Sequence, residues 1–157
     1  LPLLQNSKDV QSHQLKKKKR PRPIKRVWEI LEGDGRIEMT LGILTVSEAN
    51  CSESWRDKHA RHKIQKAYLA KAFMARVKKK ITMPCQVTMV RFAPGLLDAK
   101  DNLRYSLKWI ADGIAEHITG DYRPGRADDN KEISWHYGQE KSKEYYVKII
   151  IESSESP

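Results

Sequence analysis

The side chains best equipped for chemistry in this sequence are carboxylates set among cations. Asp98 and Asp101 stand at the mouth of a stretch with helical periodicity, and Asp128 and Asp129 end a Gly-, Pro- and Arg-rich segment just ahead of an alternating one. At about 100° per residue, Leu103, Leu107, Ile110, Ile114 and Ile118 share one face of that helix, and Asp101, Tyr105, Lys108 and Asp112 another. An acid at a helix N-terminus complements the dipole, so it can cap the helix or hold a metal ion. On spacing alone each acid is also an ordinary turn former. Taken jointly, Asp residues from two or three chain segments would give Mg²⁺ or Mn²⁺ the oxygen ligands it needs, among basic residues that hold a polynucleotide backbone. That combination suits phosphodiester hydrolysis.

The elements that must position these groups fit one domain plus a tail in 157 residues. Hydrophobic residues make up 39% of the chain, enough for a modest core. A formal net charge of +10 points to a polyanionic partner, nucleic acid before an anionic membrane. Cys51 and Cys85 sit in no metal or redox spacing and read as reduced thiols of an intracellular protein. No stretch has the length of a membrane span or a signal-peptide core. A membrane-surface role for the lysine tract lacks a neighbouring amphipathic stretch. The first residue is Leu rather than Met, which suggests a missing or processed start.

Residues 1–36 read as a basic, largely disordered extension, because the Lys- and Arg-rich run at 15–26 repels itself and cannot build a core. It is either a solvated tail or an import or phosphate-binding arm. Residues 27–31 are too short to classify, and 32–35 make a turn. The domain at 37–157 then follows the order β-α-β-α-β-β. A strand at 37–46 has Ile37, Met39, Leu41 and Ile43 on one face, weakened by Gly42. Ser54 caps a basic helix from 55 to about 79, with Ile64, Tyr68, Leu69, Phe73 and Val77 as its apolar positions. Strands at 85–92, 132–138 and 145–152 complete the set, the last two joined by a hairpin turn at 139–143. The expected fold is α+β: a small mixed sheet with both helices on one face. Arg56, Arg61, Lys63, Lys66 and Lys71 of the basic helix are the candidate phosphate contacts.

Leu97-Asp98, Asp101-Asn102-Leu103, Leu107-Lys108, Asp112-Gly113-Ile114-Ala115 and Asp128-Asp129 together resemble the RusA-type endodeoxyribonucleases, the Holliday-junction resolvases of bacteria and their phages. Asn50 also resembles a family position, and the likeness covers roughly residues 45–152. It implies a homodimer that cleaves branched DNA with Mg²⁺ (or Mn²⁺) in recombination and repair, located in the bacterial cytoplasm with the nucleoid. It further implies that Asp98, Asp101 and Asp129 bind the metal and Lys108 positions or neutralises the scissile phosphate. The family motif has one residue between its two carboxylates, whereas Ala99 and Lys100 both intervene here. The alternative is a non-catalytic DNA-binding protein whose acids are reduced to caps.

Other residues invite simpler readings. His59 and His62 with Cys51 match no zinc spacing, and phosphate contact or plain exposure is expected for both histidines. His117 ends a helix, where a cation caps, and His136 is expected to face solvent. Trp55, Trp109 and Trp135 read as core or interface residues. No phosphate loop or dinucleotide signature implies a nucleotide cofactor.

Overall fold

The computed structural model describes residues 21–75, 77, 80–123 and 129–154. The lysine run before residue 21 lies outside the described residues. Seven elements follow in order: β1 (Trp28–Gly33), β2 (Arg36–Leu41), α1 (Trp55–Ala75), β3 (Cys85–Ala93), α2 (Asn102–Thr119), β4 (Ile133–Lys141) and β5 (Tyr146–Ser153). They form a mixed five-stranded sheet, ordered β1-β2-β5-β3-β4, with both helices on one face. No helix among the described residues is long and apolar enough to cross a membrane.

Alternation decides which way each strand faces. Ile37, Met39 and Leu41 of β2, Cys85, Val87, Met89 and Ala93 of β3, and Val147, Ile149 and Ile151 of β5 are buried under the helices. From α2, Leu103, Leu107, Ile110 and Ile114 close the core, as their spacing predicts. Gly120 ends α2 in the left-handed conformation (φ 71°), its N–H donating to the Glu116 carbonyl. Ser54 caps α1: its Oγ accepts the Asp57 N–H at 3.2 Å and donates to the Asp57 carboxylate at 2.9 Å.

Three expectations change. First, the extension does not run to residue 36. Residues 28–33 are β1, an antiparallel partner of β2, so a boundary at 36/37 would cut a hairpin. Trp28 and Ile30 pack against the core, and the stretch 28–33 itself carries no Lys or Arg; the basic run ends ahead of it. Second, β4 and β5 are not a hairpin. β5 lies between β2 and β3, antiparallel to both, while β4 pairs with β3 in parallel at the edge. The connection 142–145 crosses the end of β3, where the Ser142 N–H meets the Ala93 carbonyl at 2.9 Å. β5 is the more apolar strand and takes the interior place; β4 carries His, Gln, Glu and Lys and takes the edge. Third, β2 ends at Leu41, although Ile43 continues its buried face.

Gly42 explains that ending. A Cβ built there would lie 1.9 Å from the Lys25 carbonyl oxygen, because the entering chain crosses β2 at this point. The Gly42 N–H donates to the Val27 carbonyl at 3.0 Å. Gly42→Ala should therefore lower stability by about 1–3 kcal/mol. Gly95→Ala, where a Cβ meets nothing within 4 Å, should stay within about 0.5 kcal/mol of wild type. Urea unfolding of the two variants checks this.

Candidate functional site

Asp101 immediately precedes α2 with backbone angles of φ −119° and ψ −56°. Its carboxylate makes no cap hydrogen bond; only its carbonyl joins the helix, accepting the Tyr105 N–H at 3.1 Å. Asp98 does the local structural work instead. Its Oδ1 accepts the Lys100 N–H at 3.2 Å, and its carbonyl accepts the Leu103 N–H at 2.9 Å. The extra residue between the two acids is thus absorbed in a turn that Asp98 closes. Gln139 of β4 fixes this loop by bonding both backbone groups of Leu97, at 2.9 and 2.7 Å.

The freed Asp101 carboxylate borders a cleft of about 310 Å³ with Lys100, Arg104, Tyr105 and Lys108 of the α2 side and Trp135 and Tyr137 of β4. The Arg104 guanidinium lies 5.8 Å from the Tyr137 ring centre. Lys108 Nζ lies 3.6 Å from Asp112 Oδ1, one helical turn on. The Trp135 indole N–H is buried without a partner. One carboxylate in a field of cations, opposite two aromatic rings, is what the fold builds here.

Of the four expected catalytic residues the cleft collects Asp101 and Lys108. Neither Asp98 nor Asp129 lines it. Asp129 precedes β4 at the opposite end from Leu97: its neighbour Asn130 contacts Met83, and Glu132 bonds Cys85 at the start of β3. Asp129 lies in the turn ahead of β4, whereas Asp101 borders the cleft beside Trp135 and Tyr137 further along that strand. Carboxylates sharing one Mg²⁺ each lie about 2.1 Å from it. Asp101 precedes α2 and Asp129 follows it, and α2 carries the chain from one end of the sheet to the other between the two acids. Among the described residues no three His, Cys, Asp or Glu side chains could hold a metal together. Asp128 lies outside the described residues. What the donor set does fit is a sparser site, Asp101 with water and substrate phosphate oxygens, since Mg²⁺ is often held by one or two carboxylates.

The basic helix is also only partly available to phosphate. Arg56, Lys63 and Lys71 are exposed, Lys71 lying 5.7 Å from the Trp28 ring centre. Lys66 pairs with Glu116 at 3.3 Å and lies 5.6 Å from the Trp109 ring centre. Arg61 is withdrawn altogether. It is 6% exposed, with Nη1 on Glu48 at 2.8 Å and Nε and Nη2 on Glu53 at 3.1 and 2.9 Å. Its guanidinium holds the 45–54 segment onto α1, not a DNA strand. The apolar register of α1 shifts accordingly: Arg61, His62, Gln65, Leu69 and Ala72 face inward, while Ile64 is 59% exposed.

The histidines change roles as well. His62 is neither exposed nor a phosphate contact. It is buried, stacked on Trp109 with centroids 4.1 Å apart, and 3.0 Å from Glu48 Oε1. His117 stacks on Phe73 at 4.8 Å, and burial lowers its pKa against the opposing pull of Glu116, which disfavours the charged form a cap would use. His136 is exposed, as its strand position implies. Glu48, Glu53 and Gln65 carried no signal in spacing, because their partners come from other elements; Trp109 read only as a core or interface residue, and the Ser54 cap marked where α1 begins.

No family model matches the chain, and no curated protein is significantly similar to it in sequence.

Burial by itself would raise the Glu48 carboxyl, but hydrogen bonds from Arg61, His62 and Lys58 outweigh it and bring the pKa down from 4.5 to about 2. Stability from this group is complete above pH 4.5 and lost as pH falls toward about 2. Glu48→Gln should remove that portion of the acid transition in urea melts. At pH 7 it should cost about 3 kcal/mol by leaving Arg61 short of a countercharge.

Proposed function

We propose that this chain is a RusA-type endodeoxyribonuclease acting on branched DNA such as a four-way junction, as a homodimer. The observation that carries the reading is the cleft at the start of α2, where Asp101 stands with Lys100, Arg104 and Lys108 opposite Trp135 and Tyr137. Cations attract the sugar–phosphate backbone, and aromatic faces accept bases opened at a branch point. Asp101 would hold Mg²⁺ (or Mn²⁺), which when bound supplies an activated water. Lys108 and Arg104 offset the negative charge that grows on the phosphate oxygens during attack. Arg56, Lys63 and Lys71 of α1 add backbone contacts; Arg61 does not. A pair of such clefts across a two-fold axis suits paired nicks on a symmetric junction.

A second reading, a non-catalytic DNA binder, is favoured by one specific observation: neither Asp98 nor Asp129 lines the cleft that Asp101 borders. The purified full-length chain, incubated with a synthetic four-way junction and Mg²⁺, separates the two. Paired nicking is expected, with Asp101→Asn slowing it at least about 100-fold and Lys108→Ala at least about 10-fold. Intact junctions, or equal cutting by Asp101→Asn, would leave the binder. Loss of cutting in Asp129→Asn with retained folding would mean that a second chain supplies this acid.

DNA affinity should fall steeply with salt. Combining Arg56→Gln with Lys63→Gln should reduce the slope of log affinity against log salt by up to about 2. Fluorescence anisotropy at several salt concentrations measures it.

A further inference from the structure

We infer that a second pocket, away from the Asp101 cleft, is a binding site for a phosphate group. It lies where residue 22, the 45–51 segment and the 95–97 turn meet, and has a volume of about 230 Å³. Arg22, Arg91, Ser47, Asn50, Cys51 and Tyr145 are among the residues lining it, and none of its lining residues is Asp or Glu.

Arg91 is the anomaly that directs attention here. It is 3% exposed, as deeply buried as Arg61, yet has no carboxylate partner among the described residues. Its Nε donates to Thr45 Oγ1 at 3.0 Å and its Nη1 to the Gly95 carbonyl at 2.8 Å; its guanidinium lies 5.9 Å from the Tyr145 ring centre. These neutral neighbours hold its orientation without neutralising it. A guanidinium has five N–H donors, and these two bonds leave donors over. A buried charge normally has a countercharge; among the described residues Arg61 has two and Arg91 has none. The Ser47 hydroxyl at the same pocket is likewise buried without a partner. Arg22 stands at the rim, half-exposed and only loosely paired with Glu53 at 3.7 Å.

An unneutralised guanidinium, a second cation, an orphan hydroxyl and the Asn50 amide present donors from several chain segments to one small volume. A tetrahedral oxyanion, with acceptors pointing in several directions, answers that arrangement better than a planar carboxylate. The phosphate belongs either to a free or terminal phosphate or to a phosphodiester within a strand. The site stands without the nuclease reading, because its test involves neither metal nor cleavage.

The test titrates the full chain at constant ionic strength with inorganic phosphate and, separately, with the dinucleotide thymidylyl-thymidine, following backbone amide shifts. Saturable shifts at Ser47, Cys51 and Gly95 are expected with at least one probe, and the stronger binder identifies the source of the phosphate. Arg22→Gln and Ser47→Ala should each weaken binding, and Arg91→Lys, which keeps the charge but loses the fork, should weaken it by about tenfold. If Arg91→Lys does not fold, the other two variants decide. Shifts that do not saturate with either probe, or affinity unchanged in both Arg22→Gln and Ser47→Ala, would overturn the assignment.

Discussion

The buried guanidinium of Arg61, clamped between Glu48 and Glu53, is the interaction on which much of the architecture turns. The segment between β2 and α1 has no regular secondary structure, so something other than a hydrogen-bond ladder must hold it. Arg61 does this from the inward face of α1 and thereby helps choose which face that is. Because Arg61, His62 and Gln65 point inward, Ile64 and Tyr68 turn outward, and α1 packs on α2 through a partly polar seam. His62 lies on Trp109, Lys66 on Glu116 and Phe73 on His117. Gly113 lets Leu69 come close: a Cβ there would lie 2.8 Å from Leu69 Cδ1. Such a seam is directional where a purely apolar one would tolerate slippage.

That seam also constrains α2, whose N-terminal end carries the candidate cleft. α2 is held by its apolar stripe on the sheet and by the aromatic and ionic contacts to α1. Its first turn is then presented to the middle of β4, opposite Trp135 and Tyr137. Asp98 closes the entering turn with backbone bonds, so Asp101 is spared a capping role and keeps its carboxylate free for the cleft. Two acids three residues apart differ in which of them satisfies the backbone: Asp98 does, and the Asp101 carboxylate makes no cap bond.

The two buried arginines show how environment, not residue type, assigns a role. Arg61 is neutralised and structural. Arg91 is equally enclosed, but its neighbours are a threonine hydroxyl, a carbonyl and a tyrosine ring. In the sequence Arg61 read as a phosphate contact, and nothing set Arg91 apart from the strand around it. Exposed charge on α1 is correspondingly smaller than a count of its lysines and arginines implies.

Local pattern determined the parts of this protein that depend on near neighbours: the inward face of β2, the strands that became β3 and β5, the apolar stripe of α2 and the Ser54 cap, with the element order giving an α+β sheet with helices on one face. These are legible because alternation and the helical repeat act within a few residues. Tertiary structure decided what depends on partners far apart in the chain. It placed β5 rather than β4 inside the sheet, added β1 from a stretch too short to classify, and buried Arg61 and His62 against a loop. It also set Asp101 and Asp129 at opposite ends of the crossover. Pairing and countercharge are relations between distant segments, and a spacing rule has no access to them until the chain has folded.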